Sequence, residues 1–239
     1  MIDIHCHILP GVDDGAIDMA MAVGMARLAH EDGIRTIVAT PHFNSVFLVE
    51  SGTVRAKVSE LQAELDRLNI PLAILPGNEL RLERPQFIYE ALKEKRFCYL
   101  ADNPGYVLME QSWEGYNEET PDVVERLRAQ GTTVILPHPE RHIFFRQQPE
   151  LLEELLGIGV WTQVSVDSLI GNNGAEAEAF ALSLVDQGQA HTLATDAHNL
   201  RRKPNLSLGY KLVEERAGAD AAKQIRDRME LIVASSIYK

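Results

Sequence analysis

The chain has 239 residues, 45% of them hydrophobic, enough for one large domain whose core needs no disulfide staples. Its two cysteines make no disulfide framework and suit a reducing compartment. A formal net charge of −12 weighs against broad nucleic-acid binding, and no basic region leads into a long apolar run, so neither a signal peptide nor a membrane span is expected.

A short apolar strand followed by an amphipathic helix recurs along the chain. Ile2–His5 reads as the first strand. Asp18 caps a helix reaching about Asp32, with Ala22, Val23, Ala26 and Ala29 inward and Gly33 as its stop. Ile34–Ala39 is a second, β-branched strand, and Thr53–Leu68 a helix with Val54, Val58, Leu61, Leu65 and Leu68 at helical spacing. Leu72–Leu75 is a third strand, and Pro85–Lys95 a helix with proline at its start. Tyr106–Met109, Thr133–Leu136, Val160–Val164 and His191–Ala194 complete the strands. The helices Pro121–Gln130, Pro149–Leu156 and Gly174–Gln187 lie between them, and one or two more close the chain within Leu206–Ile232. No linker or composition break divides it, so 1–239 reads as a single domain. Seven strand–helix units predict an α/β fold with a parallel sheet in a closed or distorted barrel, here read as a distorted seven-stranded β/α (TIM-like) barrel. No G-x-G-x-x-G loop follows the first strand, which lowers the nucleotide-binding alternative.

The ionisable residues just past each strand form a series. They are His5 and His7 with Asp13-Asp14, then His42, Glu79, Glu110, His138 with Glu140-Arg141, and finally Asp196 with His198. Alternate strand residues share a face, so His5 and His7 point together while Cys6 points away into packing; Asp196 and His198 do likewise if they continue their strand. In a barrel all these positions meet on one rim. Imidazole and carboxylate without sulfur suit Mn²⁺, Fe²⁺ or Zn²⁺. Nine candidate ligands (His5, His7, Asp14, His42, Glu79, Glu110, His138, Asp196, His198) are too many for one ion, so two or three are expected. Three divalent ions against four carboxylates leave the pocket net positive, which favours a phosphate dianion. Arg141 is placed to grip a phosphoryl oxygen with its planar fork. Asp13 reads as a structural neighbour and Glu140 as a buttress for Arg141 or a ligand histidine. Phe43, Phe47, Phe144 and Phe145 fall in rim loops, either as an aromatic wall or as loop packing.

With Met1–Pro10, Val12-Asp13-Asp14-Gly15, Thr40-Pro41-His42, Gly77-Asn78-Glu79, Met109-Glu110, His138-Pro139-Glu140-Arg141 and Thr195–Asn199 in this order, the chain resembles the polymerase-and-histidinol-phosphatase (PHP) superfamily. Within it, the chain looks like the bacterial protein-tyrosine phosphatases that regulate capsule and exopolysaccharide synthesis. The resemblance implies a manganese site in which His5, His7, Glu79 and Asp196 hold one ion. Glu79 bridges to a second ion completed by Glu110 and His138, and Asp14, His42 and His198 hold a third. It also implies that Arg141 binds the substrate phosphate. The family's further arginine, seven residues past the aspartate, is Lys203 here, preceded by Arg201 and Arg202, so Arg202 or Lys203 is expected to fill that place. The segment Gln111–Tyr116 departs from the Phe-rich stretch of the family.

The reading this supports is a metal-dependent phosphotyrosine phosphatase with metal-activated hydroxide as nucleophile. Arg141, Glu110 and His42 are the candidate catalytic side chains, and Arg141, Arg202 and Lys203 the substrate-binding ones. Neither Cys6 nor Cys98 begins a Cys-x5-Arg phosphate loop, so a thiol nucleophile is not expected. The expected partner is a bacterial tyrosine autokinase, and the expected location cytoplasmic, with no nucleic-acid partner and no membrane insertion. The alternatives are a histidinol-phosphate-type phosphomonoesterase, a phosphodiesterase, and a non-catalytic kinase-binding regulator.

Overall fold

The computed structural model describes residues 1–237. In chain order its elements are β1 (Ile2–Cys6), α1 (Met19–Glu31), β2 (Thr36–Ala39), β3 (His42–Phe43), α2 (Ser51–Arg67), β4 (Ala73–Pro76), β5 (Glu79–Leu82) and α3 (Pro85–Glu94). Then come β6 (Tyr106–Gln111), α4 (Thr120–Arg128), β7 (Thr133–Pro137), α5 (Ile143–Gln147), α6 (Pro149–Gly157) and β8 (Trp161–Ser165). α7 (Val166–Leu169), α8 (Ala175–Asp186), β9 (Thr192–Ala194), α9 (Leu206–Ala217) and α10 (Ala219–Ile237) close the chain. Asp18 caps α1 by accepting from the Met21 N–H at 2.8 Å, and Gly33, at φ +93°, turns the chain out of it into β2.

All strand pairs are parallel, in two sheets ordered β1-β2-β4 and β3-β5-β6-β7-β8-β9. The strands therefore form a parallel α/β fold of two sheets, and no closed barrel is present among the described residues. The cause is local. Pro41, which has no N–H to give a ladder, separates β2 from β3, and Pro76-Gly77-Asn78 separates β4 from β5. At the other edge β9 stops at Ala194, and the chain just past it meets β1 through an isolated bridge, Cys6 to Ala197. Each break comes just where a ligand-type residue follows.

Asp3 ties that last edge. Its carboxylate accepts from the Thr195 N–H at 3.1 Å and the Thr195 hydroxyl at 2.6 Å, and burial pushes its pKa up to about 6 against those bonds. Between strands and helices lies a continuous core, with Ile4, Ile37, Leu80, Leu108, Ile135, Val164 and Leu193 from the strands meeting Met25, Leu61, Ile88, Leu127, Leu155, Leu184 and Ile232. Burying side chains of this size contributes roughly 1.5–3 kcal/mol each, enough to hold polar strand ends in strained positions. Among the described residues no helix is long and apolar enough to cross a membrane.

Candidate metal centre

The nine donors converge. Four overlapping groups each place their ligand atoms within 4.8 Å of one another: His7, Asp14, His42 and His198; His5, His7 and Asp196; His5, Glu79 and His138; and His42, Glu79 and Glu110. Eight of the nine lie on a strand or within four residues of its end, and Asp14 lies in the loop between β1 and α1. His5 lies on β1 and His7 just after it, their Nε2 atoms 3.2 Å apart, so the shared face is as the alternation requires. Asp196 and His198 do not reach the cluster by continuing their strand. Asp196 adopts φ +49°, a conformation an aspartate tolerates better than most, and its N–H donates to His5 O at 2.9 Å. His138 is likewise left-handed, at φ +37°, held by its N–H to Gln163 O at 2.7 Å.

Outer partners orient the rings. His5 Nδ1 donates to Gln163 Oε1 (2.7 Å), His7 Nδ1 to Asp13 Oδ2 (2.8 Å) and His198 Nδ1 to Asp196 O (2.9 Å). Each bond fixes the tautomer and leaves Nε2 facing inward, the arrangement a metal-binding imidazole needs. Asp13 also accepts from the N–H groups of Gly15 and His42, so it braces the loop that carries Asp14. Glu79 is central: its oxygens lie 3.3 Å from His5, 3.1 Å from His138, 3.4 Å from His7 and 2.9 Å from His42.

Burial opposes ionisation of Glu79, yet the imidazoles of His5 and His42 hold its carboxyl well below the usual range. Glu110 goes the other way. Burial and the Glu79 charge raise it to about 8, against the Arg81 guanidinium. Burial opposes a proton on His42, but Glu79 and Asp14 raise it to about 9. Burial lowers His138 to about 4 and His198 to about 3.

A cavity of about 170 Å³ opens over the cluster, lined by Asp14, His42, Glu79, Arg81, Glu110, Trp113, His138, Arg141, Asp196, His198 and Arg202. Larger hollows lie elsewhere, one of about 610 Å³ between α3 and α4, but its lining holds no histidine. Arg141 Nη1 donates to Asp196 Oδ2 at 2.6 Å and Arg202 Nη2 to the same oxygen at 2.7 Å. Oδ1 of Asp196 faces His5 and His7 instead, at 3.2 and 3.5 Å. Lys203 is exposed and lies outside this lining.

Other expectations shift. Glu140 does not buttress Arg141. It is fully buried and accepts from the Ser165 N–H (3.0 Å) and the Ser168 hydroxyl (2.6 Å), and burial lifts its pKa to about 7. Phe43 and Phe145 belong to the core, and of the four phenylalanines only Phe47 stacks on a candidate ligand, His42, at 5.8 Å. Cys6 is buried against Ala197 O, and desolvation drives its thiol pKa far up, the opposite of an activated nucleophile. Sequence reasoning missed Arg81, whose Nε donates to Glu110 Oε1 at 2.7 Å, and the stacking of Trp113 on His142. Arg81 alternates with apolar Leu80 and Leu82 on β5, a pattern that carries no local signal of a site residue.

Fold and site together define a parallel α/β protein carrying a buried imidazole–carboxylate cluster beneath three arginines. The model of the CpsB/CapC capsular polysaccharide synthesis family matches residues 1–230. The chain belongs to that family. It is 35% identical over 235 residues to the tyrosine-protein phosphatase YwqE of Bacillus subtilis, covering 98% of this chain and 91% of that protein. It is 27% identical over 232 residues to the tyrosine-protein phosphatase CpsB of Streptococcus agalactiae, covering 94% of each. A crystal structure of B. subtilis YwqE, described with CpsB from Streptococcus pneumoniae as metal-dependent tyrosine phosphatases, matches at TM-score 0.93 and 35% identity, over 98% of this chain and 94% of that one.

Proposed function

We propose that the protein is a metal-dependent protein-tyrosine phosphatase, a single unit over 1–239, acting in the cytoplasm on a bacterial tyrosine autokinase of capsule or exopolysaccharide synthesis. The observation that carries this reading is the convergence of nine nitrogen and oxygen donors in one cluster, seven of which line a single cavity with Arg141 and Arg202. The two relatives named above, both tyrosine-protein phosphatases, support the substrate class. The two sheets then work as one distorted seven-stranded β/α barrel, with β2/β3 and β4/β5 each an interrupted strand. The Asp196-to-His5 backbone bond supports this reading.

The donor set fits two or three Mn²⁺ ions, with Fe²⁺ or Zn²⁺ also compatible. His5, His7, Glu79 and Asp196 would hold one, Glu79, Glu110 and His138 a second, and Asp14, His42 and His198 a third. Such ions supply Lewis acidity and a water acidified toward neutral pH. The chain does the rest. Gln163 and Asp13 keep His5 and His7 in the ligating tautomer. Arg141 and Arg202 each give one donor to Asp196 and keep others for the phosphoryl oxygens. Tyrosine, with an ordinary pKa of about 10, leaves as phenolate far more readily than an alkoxide, so no dedicated general acid is required.

The test is phosphate release from a phosphotyrosine peptide by metal-stripped protein, with and without Mn²⁺. Mn²⁺-dependent release is expected. Release of nothing, with Mn²⁺ bound, would discard the reading and favour small phosphomonoesters, oligonucleotides or a non-catalytic regulator.

A further inference from the structure

Trp113 follows β6, three residues past Glu110. Among the residues lining the cavity it is the one apolar side chain, for all the others are carboxylates, imidazoles or guanidiniums. Its position is fixed by rings and charge. The indole stacks on His142 at 4.4 Å and on the candidate ligand His138 at 5.5 Å, with interplanar angles of 26° and 18°. The Arg141 guanidinium lies 5.0 Å from the ring centroid. His142 itself is buried, and neither of its ring nitrogens has a hydrogen-bond partner, so it serves as a flat support for the indole. Yet 46% of Trp113 stays exposed. A large aromatic surface, packed against His142 and His138 and still nearly half exposed, thus borders the Arg141 guanidinium on the cavity wall.

We propose that Trp113 is the specificity-determining residue of this site, an aromatic wall that selects aryl over alkyl phosphate monoesters. The proposal rests on the phosphatase reading and adds the origin of its substrate preference. In an aryl phosphate the ring is joined to phosphorus through a single ester oxygen. A phosphoryl group gripped by Arg141 therefore projects its aryl ring beside the indole that Arg141 already touches. Stacking of two aromatic rings adds favourable free energy beyond the area it buries. A serine or threonine ester offers no ring, and the remaining charged lining offers it no apolar contact.

Calorimetric titration of the Mn²⁺-loaded full chain with phenylphosphonate and methylphosphonate tests this without relying on turnover. Wild type is expected to prefer the phenyl compound by roughly tenfold. Trp113→Ala is expected to bring the ratio of the two affinities close to one while leaving methylphosphonate binding within about twofold, and Trp113→Phe to keep most of the preference. An unchanged ratio in Trp113→Ala would overturn the proposal. So would an equal loss for both ligands, which would make Trp113 a support for Arg141 alone. The wild-type phosphotyrosine assay is a separate readout, so failure of the phosphatase reading is distinguishable from failure of the wall.

Discussion

Arg202 and Lys203 are neighbours with different places in the structure. Arg202 is half-buried, lines the cavity and shares Asp196 Oδ2 with Arg141, whereas Lys203 is exposed and outside the lining. The two also differ in kind. A guanidinium can hold Asp196 with one N–H and a phosphoryl oxygen with another, while an ammonium is a compact point charge without that planar fork. Loss of one charged hydrogen-bond partner typically costs about 1.5–3 kcal/mol, roughly a ten- to hundredfold change in an equilibrium. Arg202→Ala is therefore expected to raise KM for a phosphotyrosine peptide by about that factor, and Lys203→Ala to leave it within about twofold. Steady-state kinetics on the two variants decides the matter. Equal effects, or a larger effect at Lys203, would remove the role assigned to Arg202.

At the scale of elements, the loop between β1 and α1 shows how tightly the chain must fold to present one ligand. Gly15 packs so closely on His7 that an added Cβ would lie 2.1 Å from His7 O and 2.5 Å from His7 Cβ. That contact lets the Gly15 N–H reach Asp13 and the Ala16 N–H reach His7 O, which sets Asp14 beside His42 and His198. The atoms in the way are mostly backbone and cannot swing aside. Gly15→Ala is expected to destabilise the fold by about 1–3 kcal/mol in denaturant melts and to weaken Mn²⁺ binding. Gly52→Ala, in the first turn of α2 with open space around it, is expected to do neither. Equal behaviour of the two variants would show that the loop tolerates relaxation. The same scale explains what the sequence revealed. Strands and helices were legible because apolar periodicity and caps are local, and the candidate ligands because most of them lie on a strand or closely follow one. The prolines at 41 and 76, which split two strands, were visible but their effect on sheet closure was not. The left-handed turns at His138 and Asp196 depend on bonds to Gln163 and His5, distant in sequence, so no local pattern announced them. Arg81 and Trp113 gained their places only through such long-range packing.

At the scale of the whole molecule, an acidic chain of net charge −12 concentrates its buried imidazoles and carboxylates at one end of its sheets. Grouped this closely, carboxylates and imidazoles shift one another's protonation. Burial disfavours a proton on His5 and on His7, but Glu79 and Asp196 raise the first, and Asp13 with neighbouring carboxylates raises the second well above its ordinary value. His42 rises to about 9 and Glu110 to about 8, while Asp14, hydrogen-bonded to His42, falls to about 2. At pH 7 several of the candidate ligands thus carry a proton. A ligand donates only after losing its proton, so ion binding expels those protons and strengthens as pH rises. The window follows from the raised groups: affinity for Mn²⁺ should climb from pH 7 toward about 9 as Glu110 and His42 lose their protons. His138 at about 4 and His198 at about 3 are already neutral and add nothing to the climb. Because bound ions stabilise the fold by mass action, the drop in melting temperature caused by a chelator should be larger at pH 8 than at pH 6. Calorimetric titration with Mn²⁺ at pH 7, in two buffers of different ionisation enthalpy, counts the protons directly. More than one proton released per protein is expected. A count of zero, with affinity flat across the window, would mean that the donors stand ready as bases.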